Sequence, residues 1–252
     1  MYYSKEHTIF FGEKNTWTDW HLVPSARPEV KPAPFLSNYI EIPGRNGTID
    51  ASTSLTGYPT FGNREGSWEF LVMNDYDTWS NVYSNIMNTI HGRQMKIRLA
   101  DDPDYYYLGR LNVSDFASDK TNSIITIDYN FEPYKYHAFT VAEEYPEYFS
   151  VVDIPGDGKK YILFDDMIQR GFVDNMPILP TIKTTLDNEN TVIWIRFVNQ
   201  ELGIDIRQGF RQGTRQSPRF VISNFNGENT CYFEVDCDCA ATFELNYRNG
   251  RL

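Results

Sequence analysis

The chain has 252 residues, a formal net charge of −11, 41% hydrophobic and 15% aromatic side chains, with 17 Tyr and 17 Phe. That length leaves room for two domains or one large β-sandwich, and the aromatic-rich mixture favours sheets over helical bundles. The acidic balance argues against a surface that grips nucleic acid or anionic lipid, and no stretch approaches the ~20 apolar residues of a membrane span.

The N-terminal run MYYSKEHTIFFGEKNTW lacks the basic region and long apolar core of a signal peptide. A soluble chain made in a cytoplasm is expected. Three cysteines, Cys231, Cys237 and Cys239, are too few and too local for a disulfide framework.

The first stretch of interest is IEIPGRNGTIDAS, residues 40–52. A phosphate-binding loop would need a closing Lys-Ser/Thr pair and a following helix, and an RNA-binding GxxG clamp sits between helices. Here the flanks alternate as strands do. Pro43-Gly44 suits a type II turn and Asn46-Gly47 suits positive φ, so the spacing predicts a β-hairpin tip.

Residues 75–92, DYDTWSNVYSNIMNTIHG, give the strong helix signal of the first half. Trp79, Val82, Tyr83, Ile86, Met87 and Ile90 recur at steps of three and four, with Asp75 or Asp77 as cap and Gly92 as stop. Strands are predicted around it: SWEFLVM, QMKIRLA, YYYLGRLNV and SIITIDYNF, with DDPD at 101–104 as a turn. Periodicity then breaks down among prolines and charges. This places an N-terminal domain at 1–134, a linker at 135–149 and a C-terminal domain at 150–252.

The second half reads as short strands, PTIKTTL, TVIWIRFV, LGIDIRQ, RFVISNF, CYFEVDC and TFELNYR, the pattern of a β-sandwich. Cys237 and Cys239 would share one face of a strand as small buried hydrophobes. Structural zinc needs four ligands, and the histidines lie far upstream, so no metal site is expected. The acids Asp101, Asp102, Asp104, Asp165 and Asp166 sit in turn-like stretches, and there is no Ser elbow, HExxH or nucleotide loop. No catalytic residue and no cofactor are expected, and the chain is read as a non-enzyme. Trp194 shares a strand face with Val192 and Arg196; it is either a packing residue or a platform for a sugar or protein partner.

Together, IPGRNGTID, WSNVYSNIMNTIHGR, KIRLADDPDYYYLGRL and ITIDYNFEPYKY resemble, in order and spacing, the N-terminal domain of the distal tail proteins of long-tailed phages of Gram-positive hosts. The resemblance is firmest over residues 36–136. It implies a mainly β fold: a sandwich-like N-terminal domain with one helix and a projecting hairpin arm at about 36–60, then a galectin-like C-terminal β-sandwich. The closing FELNYRNGRL is similar to that second domain, whereas the Cys237/Cys239 pair departs from the pattern.

The resemblance further implies a homo-hexameric ring at the distal end of the tail tube, in which the arm clasps the next subunit. The flanking residues Ile40, Ile42, Arg45 and Ile49 then become interface candidates, with Pro43, Gly44, Asn46 and Gly47 forming the turn. Implied partners are the tail tube protein, a tail-associated hub protein and a receptor-binding protein. The implied location is the virion tail tip, after assembly in the host cytoplasm. DNA would pass through the channel without tight binding, consistent with the acidic balance. The alternative is a carbohydrate-binding module for host adhesion.

Overall fold

In SIITIDYNF every second side chain is apolar, and in the computed structural model Ile125, Ile127, Tyr129 and Phe131 are all buried while Asn130 faces out. The structure describes residues 7–73, 79–118, 123–165, 167, 170–224 and 231–252. It is mainly β and divides into two units, Met1–Ala138 (with Leu252) and Phe139–Arg251.

The first unit contains β1 (Ile9–Phe11), β2 (Lys14–Asn15), β3 (Leu22–Pro24), β4 (Tyr39–Glu41), β5 (Thr48–Asp50) and β6 (Arg64–Val72). There follow α1 (Trp79–Ile90), β7 (Gln94–Leu99), β8 (Tyr105–Ser118), β9 (Ser123–Phe131) and β10 (Lys135–His137). Its main sheet runs β2-β1-β7-β8-β9-β6-β3, antiparallel throughout, and β10 pairs with the start of β8. The register of β8 shifts between Val113 and Asp115, a bulge that increases local twist.

Helix α1 lays Val82, Ile86 and Ile90 into the core, with Trp79, Tyr83 and Met87 at its margin. The stripe spacing decides this, since residues three and four apart share a face. Burying each of the three aliphatic side chains is worth roughly 1.5–3 kcal/mol. The helix stops at Gly92, whose φ of +71° favours glycine and whose amide donates to the Leu111 carbonyl at 2.7 Å. Asp75 and Asp77, the expected caps, lie outside the described residues.

Two glycines are fixed by close packing. A Cβ on Gly109 would lie 2.2 Å from the Asn130 carbonyl oxygen and 2.7 Å from the Phe131 Cα, so β8 approaches β9 there as only glycine allows. At Gly66 the ring of its cross-strand partner Tyr129 lies over the bare backbone. The Tyr129 hydroxyl accepts the Lys31 amide at 3.0 Å.

The second unit contains α2 (Val141–Glu144), β11 (Val152–Ile154), β12 (Tyr161–Leu163), β13 (Thr181–Leu186), β14 (Ile193–Asn199), β15 (Ile204–Phe210), β16 (Gly213–Gln216), β17 (Cys231–Asp236) and β18 (Ala241–Asn246). Two four-stranded antiparallel sheets, β11-β18-β13-β16 and β12-β17-β14-β15, form a sandwich. Phe233 and Phe243, one from each sheet, meet across its core at 6.1 Å.

Here the structure departs from the sequence reading in two places. RFVISNF is not a ladder strand: only Ile222 bridges Ile178, while Asn199 donates its side-chain amide to the Val221 carbonyl and the Ser223 hydroxyl. A side chain thus satisfies backbone that a neighbouring strand would otherwise pair, and Phe220 and Ile222 are still fully buried. Likewise Cys237 and Cys239 do not lie on a strand, because β17 ends at Asp236 and both occupy the turn before β18.

Candidate functional site

Strands β4 and β5 form a two-stranded sheet of their own, with Tyr39 opposite Asp50, Ile40 opposite Ile49 and Glu41 opposite Thr48. Alternation sorts the side chains: Ile40, Ile42 and Ile49 share one face, and Tyr39, Glu41, Thr48 and Asp50 the other. At the tip the Arg45 amide donates to the Ile42 carbonyl at 3.1 Å, closing a turn over Pro43 and Gly44. Gly44 and Gly47 have φ of +83° and +78°, with no atom within 4 Å of a Cβ placed on either. Their requirement is conformational; no close neighbour imposes it.

The ribbon is anchored at its base. The Ala51 amide donates to the Asn38 carbonyl, Leu36 to Thr60 and Gly62 to Pro34, while Phe35 and Phe61 bridge and their rings meet edge to face. Phe61 continues to Tyr134 at 6.1 Å, tying the arm to the end of the first unit. Asp50 accepts the Ser52 hydroxyl and amide, which holds its carboxyl below the usual carboxylate range.

Its apolar face is left partly exposed. Ile40 is 48% exposed, Ile42 42% and Ile49 36%, and Leu55 beyond the ribbon is 99% exposed. Phe35, Leu36 and Tyr39 are exposed as well. Exposed apolar side chains gathered in and around one ribbon are the raw material of an interaction surface. A lone two-stranded hairpin is also marginal in water without a partner surface.

Trp194 lies on the outer face of β14, beside an ion-pair lattice. Arg196 pairs with both oxygens of Asp205 at 2.7 Å and with Glu234 at 3.3 Å, and Arg207 pairs with Asp236 at 2.7 Å. The indole edge covers Gly209, and the Arg207 guanidinium sits 4.9 Å from the ring centroid. A pyranose stacking on that face must displace Arg207. Among the described residues no group of three or more His, Cys, Asp or Glu stands close enough to hold a metal ion. No helix among them is long and apolar enough to cross a membrane.

No family model matches the sequence, and no curated protein does. The fold does have a solved counterpart. It matches the crystal structure of SPP1 Dit (gp 19.1), a protein described as a paradigm of the hub adsorption apparatus in phages that infect Gram-positive bacteria. The TM-score is 0.57 at 14% identity, covering 97% of this chain and 99% of the other. The chain has the Dit fold. Nearly complete coverage on both sides means that the Dit likeness spans both units, where the sequence resemblance was firmest only over residues 36–136.

Proposed function

We propose that this chain is a virion structural protein that forms a hexameric ring at the distal end of a phage tail tube. The observation that carries it is the partly exposed apolar face of the arm on a chain that matches the Dit fold over 97% of its length. Residues 38–54 clasp the neighbouring subunit, burying Ile40, Ile42 and Ile49 at each interface. Cyclic closure repeats that burial around the ring, so a modest contact becomes a large total.

In this reading the ring joins the tail tube protein to the tail-associated hub protein, and its outer domains dock the receptor-binding protein. The domain division proposed is 1–134, 135–149 and 150–252. Assembly takes place in the host cytoplasm. DNA passes through the channel without tight binding, a reading that a formal net charge of −11 favours. No catalytic step is assigned. Electron microscopy of the purified chain tests the reading: rings with a central hole support it, and a monomer at every concentration overturns it.

A further inference from the structure

The turn joining β17 to β18 carries Cys237-Asp238-Cys239, and the two Sγ atoms lie 3.6 Å apart, in van der Waals contact. Cys237 is buried and Cys239 half-buried. The turn is clamped on both sides. The Gly158 amide donates to the Cys237 carbonyl at 3.2 Å, and the Asp187 amide to the Ala240 carbonyl at 3.0 Å. Gly156 presses so closely on the Cys239–Ala240 peptide that a Cβ there would lie 2.2 Å from the Cys239 carbonyl carbon. Two residues apart, the Cα atoms are separated by no more than about 7 Å, close to the span that disulfides bridge.

We propose that Cys237 and Cys239 form a dithiol modification site, which a low-molecular-weight disulfide oxidises to an intramolecular Cys237–Cys239 bond. Cys239, the more accessible thiol, loses its proton to solvent, and its thiolate attacks one sulfur of the reagent RSSR. A bond from Cys239 Sγ to SR forms, the S–S bond of the reagent breaks, and the departing thiolate is protonated to RSH. Cys237 then loses its proton and its thiolate attacks Cys239 Sγ. The protein disulfide forms and a second RSH leaves. The two protein thiols give up two electrons, and one reagent disulfide becomes two thiols.

Burial pushes the Cys237 thiol up, which leaves the more accessible Cys239 as the first nucleophile and Cys237 as the resolving thiol. A ring of three residues removes little chain entropy, so the bond locks the turn locally and is no staple for the sandwich. Cys231, buried in β17 and pushed up by that burial, serves as an internal unreactive control. The inference is independent of the ring.

The test uses the full reduced chain, oxidised glutathione at neutral pH and intact mass spectrometry with peptide mapping. Wild type is expected to lose the mass of two hydrogens without a lasting glutathione adduct, and to regain it with excess reduced glutathione. Cys237→Ser is expected to hold one stable adduct on Cys239, and Cys239→Ser to stay unmodified. Wild type that stays reduced, keeps a stable adduct or dimerises through an intermolecular disulfide would overturn the proposal. If either serine variant fails to fold by circular dichroism, the wild-type peptide map still decides, by whether 237 and 239 become linked.

Discussion

Gly109 and Gly66 look alike in sequence, yet they are held by different neighbours and should differ in cost. At Gly109 a methyl group meets backbone, which cannot step aside, so Gly109→Ala is expected to destabilise the first unit by about 3 kcal/mol, the upper end of overpacking costs. At Gly66 it meets the Tyr129 hydroxyl and the ring carbon bearing it. The ring can shift, at the expense of its bond to Lys31, and about 1–2 kcal/mol is expected. Urea denaturation of the two variants checks the order.

Tyr134 supplies a pH test at the same scale. Burial pushes its phenol up to about 12, above an unperturbed value of about 10. A raised folded value means that the unfolded chain gives up this proton first. The stability tied to Tyr134 is therefore complete below about pH 10 and is lost as pH rises towards 12. Ultraviolet titration should show a late phenolate fraction, smaller in Tyr134→Phe, and that variant should lose less stability between pH 10 and 12 than wild type.

Among elements, α1 and the arm make opposite demands on their isoleucines. Ile86 is fully buried, so Ile86→Ala is expected to cost 2–5 kcal/mol by the usual cavity arithmetic. Ile40 is half-exposed and pairs across the ribbon with Ile49, so the single change Ile40→Asp should cost the protomer no more than about 1 kcal/mol, the span of strand propensities. Its effect should fall on assembly, read by light scattering. Arg45→Ala at the tip should be mild unless Arg45 meets an acid across the interface.

What the sequence disclosed about these elements follows from how local the cause is. Strand β9 and helix α1 were legible because their periods are written in consecutive residues, and the main-β class follows from several such runs. Strands β1 to β3 escaped notice: pairs such as Leu22 with Val72 form over long separations, and strands of two or three residues carry no countable period. RFVISNF was misread because Asn199, twenty-odd residues away, supplies the hydrogen bonds that a strand partner would. The contact between Cys237 and Cys239 depends on Gly156 and Gly158, which no local pattern links to them. The exposure of the ribbon's apolar face likewise depends on which elements leave it uncovered. Alternation alone marks only which residues share it.

For the whole molecule the deciding feature is closure. In the proposed ring each protomer would contribute one arm and every arm would have a neighbour, so removing it should weaken all interfaces at once without touching either core. The deciding measurement is sedimentation of wild type beside a variant in which residues 39–55 are replaced by a short Gly-Ser link, at equal concentration, with circular dichroism as the folding control. The account predicts a closed hexamer for wild type and a much smaller, dilution-sensitive species for the folded variant. An arm-deleted chain that forms the same oligomer with the same resistance to dilution would contradict it.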